Sequence, residues 1–205
     1  MYQQMLQQAE GASTAEMFIP TLMIVMSLIA TVPAILSMNR LRSEEKKGRL
    51  EHLLARAVSR QELFSSYLII AVVNGFIMIS ATALGLWFAA TSVMEEGLDF
   101  GMMMEAALVY YPAMLVMIGV AAFLNSFLPK LTSLVWLYFL YTFFVLYLGI
   151  LLKLPEWLGK LSPFGHVPQV PIEDLTFMPL FILTVIAIGL MAISFVGYRK
   201  RDIVE

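Results

Sequence analysis

Five long stretches of this 205-residue chain contain no Asp, Glu, Lys, Arg or His: residues 17–39 (23 residues), 63–94 (32), 106–129 (24), 131–152 (22) and 175–198 (24). A hydrocarbon layer of about 30 Å needs roughly 20 helical residues at about 1.5 Å each, so every stretch is long enough to cross one. The rest of the composition agrees. At 60% hydrophobic and 14% charged, the chain lies far from the roughly 25% charged residues of a soluble domain. The sequence therefore predicts an all-α, polytopic membrane protein with five spans forming one transmembrane domain over residues 1–205.

Lys and Arg are distributed unevenly among the connections. Residues 1–16 carry none, 40–62 carry seven, 95–105 none, position 130 one, 153–174 two and 199–205 three. Every second connection is basic, and 11 of the 13 cations fall on one side if the five stretches all cross. Basic connections stay cytoplasmic. This predicts a multi-pass plasma-membrane protein with its amino terminus outside and its carboxyl terminus in the cytoplasm. Glu10, Glu16, Glu95, Glu96, Asp99 and Glu105 then lie on the outer side. With no cysteine in the chain, disulfide and thiolate chemistry are excluded.

Residues 1–16 are polar and acidic, unlike the basic start and short apolar core of a secretory signal. Ser13 and Glu16 form a capping box, which predicts a helix beginning near Thr14. Pro33 inside that helix removes one backbone donor and is expected to bend it, either as a tolerated kink or as a gating hinge. The short link around Lys130 predicts an antiparallel hairpin of the third and fourth spans. The segment 153–174 carries Pro155, Pro163, Pro168 and Pro171 with Trp157 and Phe164. Two readings apply to it: an ordinary loop, or an outer interfacial segment with Trp157 at headgroup level.

Between the first two spans, residues 43–59 read as a short amphipathic helix. Leu50, Leu53, Leu54 and Ala57 fall at i, i+3, i+4 and i+7, with Arg49, Glu51, His52 and Arg56 elsewhere around the helix. Glu44 and Glu45 open it and Arg56 closes it, an order that suits the helix dipole. Ser59 and Glu62 form a second capping box, so a new helix is expected from Arg60. Such a helix can rest on anionic lipid or enter a protein groove. The acids Glu44, Glu45, Glu51 and Glu62 oppose an acidic membrane surface and suit a protein groove better.

The residues from Arg42 through Arg60 resemble the coupling-helix segment of permease subunits of type-2 ATP-binding-cassette (ABC) exporters. Glu44, Glu45, Gly48, Arg49, Glu51, Leu53, Leu54, Ala55, Val58, Ser59 and Arg60 carry the likeness. The stretch 161–171 and the ending Gly197-Tyr-Arg-Lys-Arg-Asp-Ile203 are similar to the carboxyl-terminal half of the polyketide-antibiotic (tetronasin-type) branch. The resemblance implies half of a permease, whose coupling helix docks in a separate ATP-binding subunit through Glu44, Glu45, Gly48, Arg49, Leu50, Glu51, Leu53, Leu54, Ser59 and Arg60. It implies ATP and Mg bound by that partner, with no cofactor in this chain, and a second permease half as homodimer or heterodimer. The first of the six spans usual in such a half is missing, which is the pattern expected of a truncated start, a split gene or a fragment.

Chemistry of other kinds is not indicated. No Gly-x-x-x-x-Gly-Lys-Ser/Thr occurs, so the chain has no phosphate-cradling loop of its own. His52 and His166 fall on opposite sides of the membrane under this topology, which leaves no two-histidine metal site. No ionisable side chain interrupts the five stretches, against an intramembrane enzyme or an ion-coupled carrier. Asn74, Asn125, Tyr138 and Tyr141 are the candidates for a substrate path; for Asn74 the alternative is a bond between helices. Lipid bilayer is an expected partner and nucleic acid is not. The expected function is the membrane-spanning component of an ATP-driven exporter of a hydrophobic or amphipathic, drug-like or lipid substrate, not an enzyme. The alternative is a non-transporting membrane scaffold that recruits a cytoplasmic protein through the same helix.

Overall fold

The structure, a computed structural model, describes residues 14–47, 59–93, 98–149, 152 and 154–200. All regular structure among them is helical. The helices are α1 (Thr14–Lys46), α2 (Arg60–Val93), α3 (Phe100–Leu108), α4 (Tyr111–Phe127), α5 (Leu134–Phe143), α6 (Glu156–Gly159) and α7 (Phe177–Lys200). A 3-10 turn, Pro129–Leu131, precedes α5; a π segment, Phe144–Leu148, continues it; and a second 3-10 turn, Pro163–His166, follows α6.

Among the described residues, four helical stretches are long and apolar enough to cross a membrane: Phe18–Lys46, Arg60–Val93, Phe100–Phe127 and Phe177–Lys200. The expected fifth span, 131–152, is shorter than its run of apolar residues suggests. Its first residues belong to the 3-10 turn, and the helical part reaches only from Leu134 to Leu148. That length rises roughly 20 Å, short of a full hydrocarbon layer. Among the described residues, four helices therefore meet the length of a span, and the expected fifth is represented by this one shorter helix. The first span is longer than its apolar run, since α1 continues past Asn39 through Glu44 and Glu45 to Lys46. The third begins earlier than its run as well, at Phe100, where Asp99 caps the helix by accepting from the amide of Met102 at 2.8 Å.

Directions follow from contacts. Gly75 of α2 faces Ala34 of α1 and Ile118 and Met114 of α4. Asn125 near the end of α4 meets Asn39 of α1, while Gly119 meets Leu190 and Ala187 of α7, and Phe127 meets Gly197. Hence α1, α4 and α7 run parallel and α2 runs against them. Between Phe127 and Phe177 the chain must return to the opposite end, and it does so through α5, the π segment and residues 154–176. Arg42, Lys46, Arg60, Lys130, Arg199 and Lys200 all gather where α1, α4 and α7 end and α2 starts, here termed the basic end.

Helix association in an apolar solvent depends on close packing and polar bonds, because lipid tails are as apolar as leucine. The sequence supplies small residues for the first. Ala71, Ala83, Ala106, Ala107, Ala113, Ala121, Ala122 and Ala187 are fully buried. α4 is the centre of the bundle, with most of its residues enclosed. α2 and α7 each turn an apolar face outward, as at Ile69, Phe76, Phe181 and Ile188, in keeping with lipid as their solvent.

The proline-rich segment packs onto this frame. Ser162, Pro163, Phe164, Val167 and Val170 are buried, the Phe164 ring stacks with that of Tyr110 in the break between α3 and α4, and Trp157 stays exposed. His166 Nε2 lies 2.8 Å from the carbonyl of Lys160 and closes the turn.

Candidate functional site

Of the four helix ends gathered at the basic end, those of α1, α2 and α7 meet in one node. α1 brings Arg42 and Glu45, separated by three residues and therefore on one face; Arg42 Nη1 donates to Glu45 Oε2 at 2.9 Å. A carboxylate in the last turn of a helix is opposed by the helix dipole. Glu45 is held there by side chains instead. Its side chain is 3% exposed, and its other oxygen, Oε1, accepts from the hydroxyl of Tyr198 at 2.9 Å.

Tyr198 ends the apolar run of α7 and is 1% exposed. Its ring stacks on Phe64 of α2, centroids 4.9 Å apart and planes 26° apart, and Phe64 meets Phe195 of α7 edge-on at 6.2 Å. Aromatic pairs of this kind contribute about 0.5–1.5 kcal/mol beyond the area they bury. Tyr198 thus joins α7 to α1 through its hydroxyl and to α2 through its ring.

α2 enters this node through the expected capping box, and both reciprocal bonds are formed. Glu62 Oε2 accepts from the amide of Ser59 at 2.8 Å, and Ser59 Oγ accepts from the amide of Glu62 at 3.2 Å. Arg60 is the first helical residue. The proposed contact residues Gly48, Arg49, Leu50, Glu51, Leu53 and Leu54 lie outside the described residues. Glu44 and Glu45 belong to the last turns of α1, not to the start of a separate helix, because the Arg42–Glu45 pair continues the α1 ladder.

The four candidates for a substrate path are engaged at three separate places. Asn74 Nδ2 donates to Ser37 Oγ at 3.0 Å and to the carbonyl of Pro33 at 3.3 Å, which ties α2 to the proline turn of α1. Asn125 is 2% exposed and donates to Asn39 Oδ1 at 2.9 Å and to the carbonyl of Ala121 at 2.8 Å. The hydroxyls of Tyr138 and Tyr141 donate to the carbonyls of Leu161 and Leu158 at 2.9 and 2.8 Å, and their rings lie nearly parallel. These bonds tie α5 to the segment around α6.

Sequence reasoning did not single out Tyr198, Phe64 or Arg42. Tyr198 sits inside the quoted Gly197-Tyr-Arg-Lys ending, so the signal was a tyrosine at the boundary between an apolar run and a basic tail, a position where a polar tip finds a partner. No group of three or more His, Cys, Asp or Glu side chains that could hold a metal occurs among the described residues.

The family described as "Multidrug efflux system permease Rv1217c, C-terminal domain" matches residues 1–199. Among curated proteins, the multidrug efflux system permease protein Rv1217c of Mycobacterium tuberculosis (strain ATCC 25618 / H37Rv) is 33% identical over 182 residues, which is 87% of this chain and 33% of that protein. The chain therefore spans about a third of the length of that relative.

Proposed function

The chain belongs to the family of the multidrug efflux system permease Rv1217c, C-terminal domain, and on that premise we propose that it is the membrane-spanning part of an ATP-driven exporter of the ABC type. In this reading the basic end faces the cytoplasm, in accord with the bias of Lys and Arg toward it. A separate ATP-binding subunit holds ATP and Mg and grips residues 48–58, and a second permease half completes the path. The cargo is a hydrophobic or amphipathic, drug-like molecule.

The observation that carries this reading is the three-helix node. Residues 48–58 join Lys47, just past the end of α1, to Ser59, at the cap of α2. Force applied to that segment reaches α1 through Glu45, α2 through the Ser59 box and Phe64, and α7 through Tyr198, which touches both. The node turns one push into a joint movement of three helices. A single flexible attachment would lose the motion before it reached the membrane.

Affinity purification of the full chain in mild detergent tests the assembly, with an ATP-hydrolysing subunit and a second permease half expected to come down together. Leu53→Glu is expected to abolish that co-isolation and to stop drug efflux while the chain stays in the membrane. Recovery of a cytoplasmic partner that hydrolyses no ATP favours a recruiting scaffold instead.

A further inference from the structure

The node leaves unused a groove on the other side of α7. It lies between the end of α4 and the last two turns of α7, has a volume of about 790 Å³, and is lined by Ser126, Phe127, Pro129, Ile193, Val196 and Lys200, together with Ala192 and Gly197. We propose that this groove binds an anionic phospholipid, its acyl chain along α7 and its phosphate at Lys200 and Lys130. The proposal concerns a site distinct from residues 48–58 and does not depend on the ATPase reading.

Spacing on α7 builds the groove. Ala192, Val196 and Lys200 recur every four residues and Ile193 lies beside them, so one helical face presents an apolar wall that ends in a cation. From Ile193 to Lys200 is roughly 10 Å of helix axis, the depth over which a lipid passes from headgroup to upper acyl chain. Phe127, Ile193 and Val196 are exposed, so the groove opens sideways, toward lipid. Gly197 makes room for the Phe127 wall, whose ring rests where a Cβ at 197 would stand.

Charge selects the headgroup. Lys200 lines the groove and is exposed, Lys130 is exposed directly after Pro129, and no acidic side chain lines the groove among the described residues. Lysines at a membrane surface attract anionic lipid, and basic pockets between helices hold such headgroups.

Ser126 gives an independent indication. Most hydroxyls within the helices, including Thr31, Ser37, Thr82, Thr184 and Ser194, donate to the carbonyl four residues back. Ser126 does not. It is 2% exposed and its Oγ has no hydrogen-bond partner, yet it contributes to the groove lining. A buried hydroxyl at the edge of lipid without a partner is a donor that a phosphate or glycerol-ester oxygen satisfies.

Native mass spectrometry of the full chain in mild detergent, titrated with phosphatidylglycerol and separately with phosphatidylcholine of the same acyl chains, tests the site. Phosphatidylglycerol is expected to bind at least tenfold more tightly. Lys130→Gln and Lys200→Gln should each weaken it about fivefold, leaving phosphatidylcholine unchanged, and both positions are exposed enough that folding is unaffected. Val196→Trp, which fills the groove, should remove the tight site without lowering the melting temperature. Equal binding of the two lipids, or undiminished phosphatidylglycerol binding in the double lysine variant, overturns the proposal. Inorganic phosphate that competes at the same concentration, or a photocrosslinker at Ile193 that captures a second copy of the chain instead of lipid, overturns it as well.

Discussion

The hydroxyl of Tyr198 donates to Glu45 across 153 positions of sequence, and this bond closes the bundle at its basic end. Because Arg42 holds the other carboxylate oxygen of Glu45, the bond is charge-assisted, a class that contributes about 1.5–3 kcal/mol. Tyr198→Phe removes the donor and keeps the ring against Phe64. It is expected to lower stability by about that amount, and more than Tyr141→Phe, whose hydroxyl bonds a neutral carbonyl. Thermal unfolding in detergent measures both. A Tyr198→Phe, Glu45→Gln double-mutant cycle should return a coupling of about 0.5–3 kcal/mol; additivity would show that the two side chains do not act together.

Asn74 distinguishes a structural from a transport role. Its two bonds to α1 join helices within the apolar layer, where such bonds average about 0.6 kcal/mol with a maximum near 1.7. Asn74→Leu should therefore cost about that much in stability and leave substrate preference unchanged among cargoes of different polarity. A change in the pattern of exported drugs at unchanged stability would place Asn74 on the path instead.

Much of this architecture can be read from charge and apolarity alone, and particular residues show where that reading stops. Run lengths located α2 and α7, and the Ser59 box located the start of α2, because each is a local property of the chain. The run 131–152 did not give the length of its helix, because composition does not report helix geometry: nothing in Phe144–Leu148 distinguishes a π segment from an α-helix by residue type. α1 extended beyond its run because Arg42 and Glu45 neutralise each other inside the helix, and a charge that has a partner need not end one. Tyr198 was invisible as a site because its partners, Glu45 and Phe64, come beside it only once α7 is known to run parallel to α1. Asn125 needed the same information, since Asn39 lies 86 positions away.

Glycines at the helix interfaces should respond differently to a methyl group. A Cβ at Gly75 would meet its neighbours at 3.5–3.6 Å, ordinary contact, whereas at Gly119 it would come within 3.0 Å of Leu190 Cβ and 3.4 Å of the Ala187 carbonyl. Leu190 Cβ is fixed to its helix backbone and cannot swing aside. Gly75→Ala is expected to be neutral or to stabilise by up to about 1 kcal/mol through helix propensity. Gly119→Ala should push α7 from α4 and cost about 1–3 kcal/mol by overpacking. Melting temperatures of the two variants in the same detergent decide this, and the order should not reverse.

Ser59 offers a way to disturb the node without touching the spans. Its hydroxyl satisfies the Glu62 amide, and its own amide is satisfied in return by Glu62. Ser59→Ala removes one of these bonds, and a lost cap costs about 0.5–2 kcal/mol. Because that loss falls on the first turn of α2, it should appear as faster hydrogen exchange at positions 60–63, with little change deeper in the helix around Asn74. Efflux should fall with it, since a frayed first turn transmits less of any displacement of residues 48–58 into Phe64 and Tyr198. Ser59→Asp, which preserves a capping oxygen, should restore slow exchange and efflux together; slow exchange without recovered efflux would mean that the hydroxyl itself, and not the order of the turn, is what transport requires.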